Sequence, residues 1–141
     1  MLAAADEAAV AELVRREQPD VILHCAGSAN VGASVVNPMA DLDGNLHSLY
    51  QLLLALKSFE KRPEIIFLSS AGVYGNPRQL PVRESDVAAP MSPYGLHKHM
   101  GEEPHSWLSH PQYPYFFCLW KRTAQAAVVG HISEVSEYWE N

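Results

Sequence analysis

Apolar and polar positions along this chain follow two different periods, and the changes from one to the other mark out its elements. Residues 6–17 set Val10, Leu13 and Val14 against Glu7, Glu12 and Arg15, the stripe of an amphipathic helix with Asp6 as its cap. Gln18-Pro19-Asp20 stops that helix. Val21-Ile22-Leu23-His24-Cys25-Ala26 is then a short apolar run ending at Gly27, the pattern of a strand buried on both faces. Residues 27–34 are small and polar, which predicts a loop of the kind found where a parallel strand meets a ligand crevice.

A longer period follows. Asn37-Pro38 combines a capping side chain with a proline suited to the first helical position. Met39, Leu42, Leu46, Leu49, Leu53 and Leu56 then recur at helical spacing, predicting a helix over 38–58. Lys61-Arg62-Pro63 breaks it, and Glu64-Ile65-Ile66-Phe67-Leu68 predicts a second buried strand that runs into Ser69-Ser70. Residues 75–91, with three prolines and scattered charges, predict a long surface loop. Ser92-Pro93 starts another helix, over 93–103, with Tyr94 in its first turn. Strands separated by helices, with no hairpin signal between them, indicate an α/β fold with a parallel sheet. From Pro104 onward the pattern weakens: three prolines interrupt it, all three tryptophans lie there, and only residues 113–119 suggest a further strand.

Composition narrows the classes. The 141 residues are enough for one domain with a proper core, and 48% hydrophobic with 18% charged residues describes a globular chain rather than a disordered one. A formal net charge of -6 argues against a general nucleic-acid binder, which needs a basic surface. No run has the length and apolarity of a membrane span, and the first residues lack the basic start of a signal peptide, so a cytoplasmic setting is expected. Cys25 and Cys118 are too few for a disulfide framework and are expected to be buried free thiols, each at a strand end. Among the seven histidines, His97 and His99 fall on different helix faces, and neither Cys-x-x-Cys nor His-Glu-x-x-His occurs, so no metal site is expected.

Candidate chemistry lies in Tyr94-Gly95-Leu96-His97-Lys98 and in Ser69-Ser70-Ala71-Gly72-Val73-Tyr74-Gly75. A tyrosine and a lysine four apart on a helix project from one face. An ammonium beside a phenol favours the phenolate, and an unassisted phenol with a pKa of about 10 is a poor base at neutral pH. A serine hydroxyl brought close can hydrogen-bond the same substrate oxygen, so the set suits redox chemistry at a carbinol if a hydride acceptor is present.

Four ordered features carry a likeness: the run 19–27, the segment Val31 to Ser34 with Asn37-Pro38, the run 68–75, and Ser92 to Lys98. Together they resemble the extended short-chain dehydrogenase/reductases of the NAD-dependent nucleotide-sugar epimerase/dehydratase family, with the closest likeness to the UDP-galactose 4-epimerase type. The resemblance covers residues 6–103 and implies a partial doubly wound, Rossmann-like parallel sheet. It implies Tyr94 as the acid/base toward the sugar hydroxyl and Ser70 as its hydrogen-bonding companion. Lys98 would hold the cofactor ribose, and Cys25, Ala26, Gly27 and Asn45, with Tyr94 and Lys98, would line the NAD site. The implied activity is C4 epimerisation of a nucleotide-sugar by transient oxidation, with a possible homodimer through helices 38–58 and 93–103. Dehydrating members resemble Thr-Asp-Glu-Val-Tyr-Gly at the serine loop; Ser70-Ala71-Gly72 offers no carboxyl there, so the resemblance disfavours dehydration.

The departures are as specific. The family opens with a Gly-x-x-Gly-x-x-Gly turn that holds the pyrophosphate, and no such run occurs in these residues. Matched to that pattern, the chain starts after the third strand, lacking the N-terminal dinucleotide-binding half and leaving 21–26 with an unpaired edge. Ala29 stands where some epimerases carry a lysine. Leu119-Trp120-Lys121-Arg122-Thr123, with no later Gly-Pro, departs from the family's C-terminal substrate region. The expectation is therefore a chain truncated at both ends: residues 1–103 as the central and C-terminal part of an NAD-binding Rossmann-like domain and 104–141 as a divergent, poorly ordered tail. Such a chain is expected to be an impaired or inactive epimerase alone, the alternative being a non-catalytic binding or dimerisation module.

Overall fold

The computed structural model describes residues 6–83 and 85–103, together with the backbone of 116–118. Its elements are α1 (Glu7–Glu17), β1 (Val21–His24), α2 (Val31–Val36), α3 (Pro38–Leu42), a π-helical stretch (Asp43–His47), α4 (Ser48–Leu56), β2 (Glu64–Phe67), a 3-10 turn (Ala71–Tyr74), α5 (Pro93–Glu102) and β3 (Phe116–Cys118). The three strands form one sheet in the order β1-β2-β3. Both pairs are parallel, Ile22 opposite Ile65 and His24 opposite Phe67 on one side, Phe67 opposite Cys118 on the other. Parallel neighbours require crossovers, and the helical segments between the strands supply them.

Local chemistry explains where the helices begin. The Asp6 carboxylate accepts from Ala8 N and Ala9 N at 3.1 Å each, and Asn37 accepts from Ala40 N at 3.1 Å with Pro38 following. Ser92 accepts from Gly95 N at 3.1 Å, again with a proline following. Each cap satisfies a backbone donor that the first helical turn leaves open.

The core lies on one face of the sheet. Val14 of α1 and Leu49, Leu52, Leu53 and Leu56 of the π stretch's α4 continuation pack with Ile65 and Phe67 of β2, with Ile22 of β1 at the margin. Gly101 of α5 lies against the Phe67 ring, where a Cβ would come within 2.6 Å of Cζ. The opposite face has a different character: Val21 is 48% and Leu23 55% exposed.

Several expectations need correction. The run 21–26 is a strand only over Val21–His24, and it is open on one face, because the helices that pack on it meet the side of Ile22 and His24. Cys25 is exposed rather than buried, since the strand ends one residue before it. The expected loop over 27–34 contains the start of α2: Asn30 caps it by accepting from Ala33 N at 2.9 Å, a signal masked by the small, aperiodic residues that follow. The helix expected over 38–58 runs from Pro38 to Leu56 but widens into π geometry at Asp43–His47. β3 falls inside the stretch expected to be a strand at 113–119; the remaining expectations for residues 104–141, the tryptophans and the Cys118 thiol included, lie outside the described residues.

Candidate active site

The C-terminal ends of β1 and β2 and the first turns of α5 bring the candidate residues to one region. β2 ends at Phe67, and three residues on Ser70 caps the 3-10 turn, its hydroxyl oxygen accepting from Gly72 N at 3.1 Å. Gly72 marks how close α5 comes. A Cβ there would stand 3.4 Å from Ser70 Oγ and 3.7 Å from Cδ1 and Cε1 of Tyr94, so the serine hydroxyl and the tyrosine ring flank the same backbone. Gly95 makes that approach possible, because a Cβ at this position would be 2.5 Å from the Gly72 carbonyl oxygen. Tyr94 is held at its own backbone too: its N–H donates to Ser34 Oγ at 3.1 Å, and Ser34 donates in turn to Val31 O at 2.7 Å.

Lys98 lies one turn beyond Tyr94 and is 6% exposed. Its ammonium donates to the Leu68 carbonyl at 3.0 Å and sits 5.0 Å from the Phe67 ring centroid and 6.0 Å from that of Tyr94. A carbonyl and two aromatic faces are the partners a desolvated cation needs. The buried charge is felt across the strands: burial, reinforced by Lys98, lowers the His24 imidazole from 6.5 to about 4, so that ring is neutral at physiological pH. His24 stacks at a tilt on Phe67, with the ring centroids 5.9 Å apart.

On the other side of the site, Cys25 and Gly27 are exposed and Ala26 half-buried beyond the end of β1. Gly27 has φ +132, and a Cβ on it would collide with Asn45 Oδ1, so the turn and the asparagine are matched to each other. Asn45 is fully buried, and its Nδ2 donates to the Asp41 backbone oxygen at 3.2 Å and to Asp41 Oδ1 at 3.1 Å. The structure therefore brings Ser70, Tyr94 and Lys98 together and places Gly27 against Asn45, while Cys25 and Ala26 contribute open backbone at the strand end.

Sequence reasoning passed over three buried polar groups that support these residues. Asp41 Oδ2 is 2.7 Å from His97 Nδ1, with side chains 3% and 9% exposed. Glu102 accepts from Ser69 Oγ at 2.5 Å and lies 3.3 Å from His99 Nδ1. Ser34 ties α2 to the start of α5. The available signal was the four-residue spacing of Asp41 and Asn45 on one helix; His97 was weighed only as a metal ligand, and its real partner is distant in sequence. Among the described residues no group of three His, Cys, Asp or Glu side chains is placed to hold a metal ion, and no helix is long and apolar enough to cross a membrane.

A Ser, a Tyr and a Lys thus lie together beyond the C-terminal ends of parallel strands, the place where open α/β sheets form ligand crevices. Comparison with known proteins is specific. The NAD dependent epimerase/dehydratase family matches residues 2–118, and the chain belongs to that family. A putative UDP-glucose 4-epimerase of Methanocaldococcus jannaschii is 40% identical over 93 residues, which is 65% of this chain and 30% of the relative. The UDP-glucose 4-epimerase of Lactobacillus helveticus is 34% identical over 98 residues, 70% of this chain and 29% of that one. Among solved structures, UDP-glucose 4-epimerase from Brucella ovis in complex with NAD superposes with a TM-score of 0.76 at 29% identity, covering 82% of this chain and 35% of its own. The enzyme from Bifidobacterium longum in complex with NAD+ and UDP gives 0.73 at 32% identity, with 82% and 35% covered. The three strands are thus part of a Rossmann-like sheet, and the chain spans about 30% of the length of the curated relatives it matches.

Proposed function

We propose that this chain carries the proton-transfer part of an NAD-dependent nucleotide-sugar 4-epimerase, and that by itself it turns over little or not at all. The observation that carries this reading is the convergence of Ser70 and Tyr94 on Gly72 with the Lys98 ammonium anchored at the end of β2. In this reading the Tyr94 oxygen, in its deprotonated form, takes the proton from the sugar C4 hydroxyl, and the resulting hydroxyl returns it after the opposite face has been presented. Ser70 Oγ hydrogen-bonds the same oxygen, and Lys98 keeps positive charge beside the Tyr94 ring. Ala71 and Gly72 offer no carboxyl for removing water, which favours epimerisation over dehydration.

The residues present fit the reactive end of the dinucleotide. The Gly27 turn presents exposed backbone without a side chain, and Lys98 stands at the adjoining strand end. When bound, NAD supplies the hydride acceptor at the sugar carbon. The sequence holds no Gly-x-x-Gly-x-x-Gly run for the pyrophosphate, which supports weak independent activity. UDP-sugars are the favoured substrate class, since the similar enzymes are named for UDP-glucose and one is in complex with UDP.

A chimera tests this. Residues 6–103 replace the matching segment of the Methanocaldococcus jannaschii relative, and interconversion of UDP-glucose and UDP-galactose is assayed beside the free 141-residue chain. The chimera is expected to be active, Tyr94→Phe within it is expected to lose about a hundredfold or more, and the free chain is expected to bind no stoichiometric NAD. An inactive chimera, or stoichiometric NAD on the free chain, contradicts the proposal.

A second reading, self-association, is favoured by Leu54 on α4 and by Leu96 and Met100 on α5, which are 47%, 46% and 42% exposed. These lie on the two helical segments, 38–58 and 93–103, expected to pair across a dimer. Sedimentation of the full chain is expected to show a dimer that Leu96→Glu dissociates; a monomer at all concentrations removes this reading.

A further inference from the structure

His97, Asp41, Asn45 and Gly27 form one continuous contact from the catalytic helix to the turn after β1. His97 precedes Lys98 on α5, and its Nδ1 meets Asp41 Oδ2 at 2.7 Å. The other carboxylate oxygen, Asp41 Oδ1, accepts from Asn45 Nδ2 at 3.1 Å, as does the Asp41 backbone oxygen at 3.2 Å. Two oxygens on one side fix which end of the carboxamide is nitrogen, because the flipped amide would set three acceptors together. The oxygen of Asn45 is thereby forced to the opposite side, where it lies buried without a hydrogen-bond donor, in the place a Cβ of residue 27 would occupy.

A buried acceptor without a donor opposes folding by about 1–3 kcal/mol, so such a group needs a reason to be held there. A carboxamide free to rotate would take its oxygen away from the Gly27 turn. The Asp41 carboxylate prevents that, and His97 prevents the carboxylate from turning. Each link is buried, His97 at 7%, Asp41 at 5% and Asn45 at 0% exposure, so water does not compete for the contacts.

We propose that Asp41 and His97 are positioning residues that lock the Asn45 carboxamide under the Gly27 turn and so hold the cofactor side of the site in register with the Tyr94–Lys98 helix. Neither touches the reacting atoms in this scheme. The assignment of Gly27 to the cofactor side rests on the function proposed above, whereas the lock itself is a property of the unliganded chain and is tested without ligand.

The experiment uses the full 141-residue chain, labelled with nitrogen-15, and follows the Asn45 carboxamide protons and the Gly27 backbone amide by NMR. His97→Leu is expected to speed exchange of the Asn45 side-chain protons about tenfold or more and to shift the Gly27 amide. His97→Asn places an N–H donor where Nδ1 stood and is expected to restore both signals. Leu53→Ala, a core truncation away from the chain of contacts, is expected to lower the melting temperature without moving Gly27. Should His97→Leu fail to fold, Asp41→Asn keeps the connectivity with the charge removed. Its Asn45 protons are expected to exchange severalfold faster, since hydrogen bonds to a carboxylate are the stronger kind. Unchanged Asn45 exchange in His97→Leu or Asp41→Asn, no restoration by His97→Asn, or an equal Gly27 shift in Leu53→Ala overturns the proposal. Loss of NAD chemistry with the lock intact counts against the proposed function alone.

Discussion

The two faces of the sheet differ more than any two helices do. On the face of Ile22, His24, Ile65 and Phe67, the helices shut out solvent so thoroughly that a lysine, an aspartate, two histidines and an asparagine are buried beside leucines. On the other face Val21 and Leu23 stand about half exposed. Covered ground lets polar groups be fixed by specific partners, because removing water makes each hydrogen bond count and each unpaired group costly. The proposed proton-transfer residues all belong to the covered side. β1 is held by its pairing with β2 and by Ile22 and His24 on the covered side.

Truncation on each face gives the widest contrast. Phe67 has no exposure and touches Gly101 and the Lys98 ammonium, so Phe67→Ala is expected to cost about 3–5 kcal/mol in denaturant unfolding. Leu23→Ala, at the same sheet but on the open face, is expected to stay within about 0.5 kcal/mol. Similar costs at both positions would mean that the second face is covered in solution.

A pH series sharpens the same contrast, because His24 belongs to the edge strand but points into the covered side. Its imidazole binds a proton near 6.5 when unfolded and near 4 when folded, so the unfolded state holds more protons between those values. Stability is therefore full above 6.5 and is lost as pH falls toward 4, by on the order of 3 kcal/mol, with no further loss from this group below that. His24→Phe is expected to remove this part of the slope, read as the difference between the two proteins' unfolding midpoints from pH 7 to pH 4. Parallel slopes would show that His24 is solvated.

The smallest effect concerns how far the covered side extends toward the serine turn. Gly95→Ala forces a methyl against the Gly72 carbonyl and is expected to cost about 1–3 kcal/mol while moving Tyr94 away from Ser70. A loss of stability with the Ser70 and Tyr94 resonances unmoved would separate the packing of this turn from the geometry of the site.

How much of this was legible beforehand follows from the range of each interaction. The starts of α1, α3 and α5 were readable because a cap and its helix are neighbours in sequence, as with Asp6, Asn37-Pro38 and Ser92-Pro93. The strands were readable as apolar runs, but not their exposure, since whether a face such as that of Val21 and Leu23 is covered depends on elements distant in sequence. α2 escaped notice because Gly32, Ala33 and Ser34 carry no apolar period. Ser70, Tyr94 and Lys98 were found through an ordered motif, and Asn45 through the same likeness. The groups that hold them, Asp41 with His97 and Ser69 with Glu102, lie 56 and 33 residues apart and leave no local trace.

The π-helical stretch at Asp43–His47 can also be seen as a correction of phase. Residues 41, 45, 49 and 53 recur every four positions, and an ordinary helix of 3.6 residues per turn rotates such a series by about 40° at each step. Asp41 and Leu53 would then face well apart, one of them forced off the sheet. One wide turn takes out much of that drift, so a polar pair serving the site and a leucine ridge serving the core share a single line along one helix. Shortening the stretch by one residue would put the two halves of the helix out of step, and either the leucines or the carboxylate would have to give up its place.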